Sequence, residues 1–198
     1  AEEIAVGTRN AGSDNVEHVY YMVRADHRYL ALKRIVDMNP DIYGIVFCRT
    51  RQETKDVAEK LMKDGYNADA LHGDLSQAQR DTVMNKFRIK NLQVLVATDV
   101  AARGLDVSDL THVINYNLPD DVEVYTHRSG RTGRAGKEGL ALTFVEPREF
   151  PHLKNIEEIF IDVPLNDVIE LKNSQPIYYI TTDSISAVVY IMTKDFAS

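Results

Sequence analysis

Three runs without a single charge constrain this chain more than anything else in it: residues 42–48 (IYGIVFC), 93–98 (QVLVAT) and 140–145 (LALTFV). Strands this apolar need cover on both faces, as in a parallel sheet sandwiched by helices. The intervening segments can supply that cover. Thr50-Arg51-Gln52-Glu53 has the form of a capping box. It opens a helix predicted to run to Asp64, with Val57, Ala58, Leu61 and Met62 as the apolar stripe and Gly65 as the stop. Ser76 and Gln79 repeat the box before a helix ending near Arg88. Asp26 is placed to cap a helix through Asp37, with Leu30, Ile35 and Val36 inward and Pro40 at the exit. Apolar runs at 19–23, 68–71 and 112–116 read as further strands. Helices are expected from about Asp120 and over 149–160. Strand and helix alternate at βαβ spacing, so the expected fold class is α/β with a mostly parallel sheet. Such sheets gather ligand contacts in the loops at the carboxyl ends of their strands.

Charge narrows what those loops can bind. The chain has 30 acidic against 23 basic side chains, a net charge of -7. An indiscriminate coat of nucleic acid is therefore excluded, and any polyanion contact has to be local. Thirteen of the basic residues are arginines, and none lies beyond Arg148. The single cysteine, Cys48, excludes an internal disulfide and a Cys-rich metal site, and the histidines have no ligand spacing, so no metal site is expected. No apolar run reaches the ~20 residues of a membrane span, and the opening AEEIAVGTRNAG has no secretory pattern. These features favour a reducing, cytoplasmic setting without a membrane partner. Residues 1–15 are polar and read as an interdomain linker.

Two segments carry the chemistry. Residues 98–107, TDVAARGLDV, follow a predicted strand with a hydroxyl, two carboxylates, Arg103 and Gly104. Small residues there admit a ligand backbone, and Arg and hydroxyl groups suit phosphate oxygens. The same residues also fit an ordinary strand-to-helix turn capped by Asp99. Residues 125–136, YTHRSGRTGRAG, interleave Arg128, Arg131 and Arg134 with Gly130, Gly133 and Gly136. On a helical turn that spacing would draw three guanidinium groups toward one side. Such a cluster calls for an anion, and a polyphosphate suits the Arg fork. A phosphate-cradling GxxxxGK[ST] loop does not occur in the sequence, nor does an acidic pair at a strand end. The chain therefore reads as one half of a two-part ATPase site.

ARGLD (102–106) with HRSGRTGRAG (127–136) resembles motifs V and VI of the DEAD-box RNA helicases. IVFCRT (45–50) resembles motif IV, and HGDLSQAQR (72–80) resembles the motif after it. The four stand in the family's order over residues 16 to about 158. The resemblance implies a C-terminal RecA-like domain, residues 16–160, that closes with an N-terminal RecA-like domain over ATP and single-stranded RNA. It implies that the N-terminal domain holds Mg2+ together with the Walker A loop. Arg131 and Arg134 match the arginine fingers and are the catalytic candidates. Asp106, Arg128, His127 and Gly104 form the ATP-binding set. Arg49, Thr50, Gln77, Arg80, Thr98, Asp99 and Arg103 form the RNA-binding set, and Gly104 also lies among the positions lining the RNA path.

The resemblance stops near residue 160. In the tail, 161–198, residues 177–181 and 187–193 are rich in β-branched and aromatic side chains around TTDSIS, and a β-hairpin is expected. Its uses include packing on the core sheet and self-association through an open edge. Two other functions share the fold: a non-catalytic RNA-binding or regulatory module, and half of a DNA translocase. The fingers argue against the first, because a pure binder has no use for a γ-phosphate sensor.

Overall fold

The computed structural model describes residues 15–105, 107, 110–134 and 136–153, together with the backbone of 177–181 and 186–191. Six parallel strands form its centre in the order β3-β4-β2-β5-β6-β1: β1 (Val16–Met22), β2 (Gly44–Phe47), β3 (Ala68–Leu71), β4 (Val94–Ala97), β5 (His112–Asn115) and β6 (Gly139–Val145). Helices α1 (Arg28–Met38), α2 (Arg51–Lys63), α3 (Gln77–Arg88), α4 (Asp99–Ala102) and α5 (Val122–Ser129) connect them. The α/β fold with a mostly parallel sheet expected from the alternation is present. The backbone of β7 (Ile177–Thr181) and β8 (Ser186–Ile191) extends the sheet beyond β1, with β8 parallel to β1 and β7 antiparallel to β8. The linker residues 1–14, the helix over 154–160 and the rest of the tail lie outside the described residues.

The charge-free runs are buried for the reason that made them conspicuous. Along β2, Val46 joins the core shared with α1 and α2, whereas Ile45 and Phe47 join the core shared with α3 and α4. Along β4, Val94 and Val96 take the first side and Leu95 and Ala97 the second. The period-two alternation thus serves two apolar layers at once. Register keeps like with like: Val46 stands beside Val96 and Ile114, and Ile114 beside Leu142.

Helix ends follow the caps with informative exceptions. Ser76 and Gln79 form the complete reciprocal box at α3. At α2 only half of the box forms: Thr50 Oγ1 accepts from the Glu53 amide at 3.1 Å, but the Glu53 carboxylate turns to other donors. Asp26 sits inside a short 3-10 turn, Ala25–His27, so α1 begins only at Arg28. Its inward face is then Ala31, Leu32, Ile35 and Val36, and Leu30 is exposed. Met62 is exposed too, because Val57, Ala58 and Leu61 already fill the buried arc of α2. No helix among the described residues is long and apolar enough to cross a membrane.

Candidate nucleotide and nucleic-acid interface

Because the six strands are parallel, their carboxyl ends share one edge, and the segments after β2, β3, β4 and β5 leave from it. The turn after α5 instead packs against the amino ends of β1, β5 and β6, with Thr132 paired to Leu110 and Gly133 against Val16. After β4, Thr98 rather than Asp99 is the N-cap of α4, its Oγ1 accepting from the Ala101 amide at 3.3 Å. That frees the Asp99 carboxylate for Arg128. The guanidinium donates through Nε to Asp99 Oδ1 at 2.7 Å and through Nη2 to Oδ2 at 2.6 Å. Nη1 donates to Asn115 Oδ1 at 3.0 Å and to the Asn117 carbonyl at 3.3 Å. The guanidinium also lies 5.0 Å from the centre of the Phe47 ring. Arg128 is 5 % exposed, and its donors are committed within the fold. A residue from the nucleotide set and one from the RNA set are thereby joined as a single unit, Arg128 buried and Asp99 partly exposed.

Arg131 and Arg134 are placed differently. The predicted helical face holding all three arginines does not form, because α5 ends at Ser129 and Gly130 is its C-cap. The chain then turns through Gly133, whose φ of +68° is left-handed. A Cβ there would also overlap Val16 Cγ2 of β1. Arg128 points into the fold, while the other two occupy the turn beyond. Arg131 Nη1 donates to the Leu105 carbonyl at 2.8 Å, and Arg134 Nε donates to the Gly130 carbonyl at 2.7 Å. Neither meets a carboxylate among the described residues. Partial burial lowers the Arg131 pKa, with the Arg134 charge as a second cause. Two cations that oppose one another and hold only carbonyls leave their charge unanswered.

Arg103 is exposed at the end of α4, and its side chain makes no hydrogen bond or ion pair with the described residues. His127 is likewise exposed on α5. Gly104 has φ +72° with open space where a side chain would stand. Asp106 lies outside the described residues.

The remaining candidates line the same edge. The Arg49 guanidinium donates to the Leu118 carbonyl at 3.1 Å and to Asp120 at 3.3 Å. Asp120 therefore belongs to this contact, and Asp121 is the cap of α5. Gln77 opens α3 and holds Asp81 at 2.7 Å. Arg80 reaches the carbonyl of Ala101, which fastens α3 to α4. Asp74 pairs with Arg51 at 2.5 Å and Lys55 at 2.8 Å, anchoring the segment that carries Gln77 and Arg80 to α2. Four further side chains are taken up by packing and turns. Cys48 is fully buried, its thiol pKa pushed up chiefly by burial. His72 is a buried turn residue accepting from the Asp74 amide at 3.3 Å. Phe87 packs against Tyr43, and Tyr125 bonds His18 at 2.6 Å.

Sequence reasoning missed Asn115 and Asn117. Asn115 is fully buried and donates to Thr143 at 3.0 Å while accepting from Arg128. The signal was available: two amides two residues apart on an otherwise apolar strand end point to the same face.

The helicase conserved C-terminal domain family matches residues 27–136. The DEAD-box ATP-dependent RNA helicase CshA of Bacillus cereus is 46 % identical over 156 residues, 79 % of this chain and 30 % of that protein. The chain thus spans about 30 % of the length of that curated relative. A DEAD box protein from the hyperthermophile Methanococcus jannaschii superposes with a TM-score of 0.68 at 48 % identity, covering 73 % of this chain and 40 % of that one. Saccharomyces cerevisiae Dbp5 bound to RNA and ADP BeF3 superposes with a TM-score of 0.71 at 31 % identity, over 76 % of this chain and 41 % of that one. With Arg49, Arg80 and Arg128 gathered at the carboxyl edge of a RecA-like sheet and Arg131 and Arg134 on the turn beyond α5, the chain belongs to the helicase conserved C-terminal domain family, in its DEAD-box branch.

Proposed function

We propose that this chain is the C-terminal half of an ATP-dependent RNA helicase, binding single-stranded RNA by its backbone and supplying arginine fingers to ATP held by an N-terminal RecA-like domain. One observation carries the reading: Arg131 and Arg134 share the turn beyond α5, and among the described residues their side chains are bonded only to carbonyl oxygens. The residues fit a polyphosphate, because two neighbouring cations without a carboxylate gain most from a multivalent anion. ATP supplies the phosphoryl group that is transferred to water, and Mg2+ belongs to the partner domain. Arg131 and Arg134 stabilise charge that grows during that transfer. Arg128, locked to Asp99, orients the turn that carries them, with His127 and Asp106 at the nucleotide side.

Arg49, Thr50, Gln77, Arg80, Thr98 and Arg103 track the RNA backbone. Contacts of that kind carry no sequence information and need only a local basic stripe, which reconciles RNA binding with a net charge of -7. The RNA and nucleotide named in the Dbp5 complex support the choice of these two ligand classes.

The isolated chain is then inactive, since its arginines have no metal-bound phosphoryl group to act on. Steady-state ATPase measured with and without poly(U) RNA tests this. No turnover is expected from the chain alone, and RNA-stimulated turnover once it is joined to a DEAD-box N-terminal domain. RNA-stimulated turnover by the chain alone would refute the assignment.

A further inference from the structure

The two ligand sets are joined by a residue that neither contains. Asn117 follows β5 at the sheet edge and is 5 % exposed. Its Oδ1 accepts from the Arg49 amide at 2.8 Å, and its Nδ2 donates to Glu53 Oε1 at 3.1 Å. Its backbone carbonyl accepts from Arg128 at 3.3 Å. The orientation of the amide is fixed by its partners, because an N–H requires the oxygen and a carboxylate requires the NH2 group. Glu53 completes the ring with Oε2, which accepts from the same Arg49 amide at 3.2 Å. This explains why the capping box at α2 is half made: the carboxylate that would have reached back to Thr50 is spent on Arg49 and Asn117.

We propose that Asn117 is a positioning residue that locks the Arg49–Thr50 turn to Arg128, so that RNA contact and the placement of the fingers respond together. The proposal rests on the functional reading above. From one side, the Arg49 backbone is held by the amide while its guanidinium takes the next carbonyl, Leu118, on the same loop. From the other side, Arg128 holds the Asn117 carbonyl and Asp99, at the start of the helix whose Ala101 carbonyl Arg80 grips. A displacement of the Arg49 turn by RNA therefore reaches Arg128 through one buried loop, with no long side chain to absorb it. A carboxylate in place of the amide could not do this, since it would meet Glu53 with no donor and a like charge.

The chemistry permits a swap. Asn117→Asp removes the donor to Glu53 and sets two carboxylates together. Adding Glu53→Gln restores a donor from the opposite side: the introduced amide nitrogen donates to the introduced carboxylate, and the amide oxygen still accepts from the Arg49 N–H. In the two-domain protein, poly(U)-stimulated ATPase is measured for both variants, recording turnover and the RNA concentration for half-stimulation. Thermal melts run alongside. Asn117→Asp should raise the half-stimulating RNA concentration about tenfold, the scale of one lost charge-assisted hydrogen bond. Basal ATPase without RNA should stay within about twofold of wild type, as one link between sites tunes coupling rather than chemistry. The double variant should return to near wild-type coupling.

An indifferent single variant would overturn the proposal. So would a double variant that stays defective while its melt is normal, since packing alone would then explain the loss. If Asn117→Asp lowers the melting midpoint, the double variant decides by the same criterion. A wild-type protein without RNA-stimulated turnover would overturn the functional reading and this proposal together, a result distinct from a normal wild type with an indifferent variant.

Discussion

Arg128 and Arg131 are three residues apart in one motif, and they live in opposite electrostatic settings. Arg128 is 5 % exposed, doubly bonded to Asp99, braced by Asn115 and Asn117 and stacked on Phe47. Arg131 is half-buried beside Arg134 and holds one carbonyl. The same side chain thus builds the frame at one position and leaves its charge unspent at the other. A buried cation must be paired or its desolvation is uncompensated. A cation meant for a passing anion must not be paired, or the anion has to compete for it. The motif keeps both kinds apart with Gly130, which ends α5 between them.

The harshest way to break the contrast is to strand Arg128. Asp99→Ala should cost about 3 kcal/mol, the lower end for a broken buried pair. The low end applies because the Asp99 side chain is 39 % exposed. A urea midpoint on the 198-residue chain reads this, and Arg134→Ala in the same assay should stay within about 0.5 kcal/mol of wild type. Equal losses would mean that the two arginines are not different in kind.

Gly133→Ala attacks the turn instead of the charge. Its left-handed φ and the overlap with Val16 predict a loss of about 2 kcal/mol. In the two-domain protein it should also lower turnover, because Arg131 and Arg134, the proposed fingers, ride on that turn. A stable Gly133→Ala variant would show that the turn accommodates a side chain and is not a rigid mount.

Arg80→Ala moves to the RNA side and should show the opposite pattern to the fingers. RNA affinity should fall about tenfold, and the salt dependence should become shallower by about one unit of slope through one lost phosphate contact. A salt titration of fluorescent poly(U) binding measures both. An unchanged slope would confine Arg80 to its bond with Ala101.

The smallest effect belongs to Asp74. Its carboxylate is held below the ordinary range, first by the hydrogen bond from Lys55 and then, against the opposing effect of burial, by the Arg51 charge. A depressed carboxylate contributes stability above its unfolded pKa and loses it as pH falls through the folded one. Asp74→Asn should thus shift the melting midpoint slightly at pH 7 in low salt, and hardly at all at high salt or at a pH low enough to protonate the carboxylate. A large salt-independent shift would mean that the side chain acts through packing.

The layered fold was legible from the three charge-free runs, because a strand buried on both faces leaves no other pattern. The box at Ser76 and Gln79 was equally plain, being local. Misreadings occurred where a distant partner decided the outcome. Glu53 looked like half of a box, yet the loop after β5 supplies a better donor in Asn117. The three arginines looked like one face only while the helix was assumed to continue past Gly130. Leu30 and Met62 counted as core because they are apolar, although their helices had already filled their buried arcs. The frame around Arg128 joins β2, α4, β5 and α5, and no short window of sequence contains it.

The most direct measurement sets Arg131→Lys against Arg128→Lys in the two-domain protein, with ATPase at saturating poly(U), RNA affinity without nucleotide, and melting midpoint taken together. Lysine keeps the charge and loses the planar fork. Arg131→Lys should lose about a hundredfold or more in turnover, as expected for a lost transition-state stabiliser, with RNA affinity and melting midpoint unchanged. Arg128→Lys should melt lower, because an ammonium cannot satisfy Asp99, Asn115 and Asn117 at once. Near-normal turnover for Arg131→Lys, or a destabilisation matching that of Arg128→Lys, would contradict the division of labour between the two arginines.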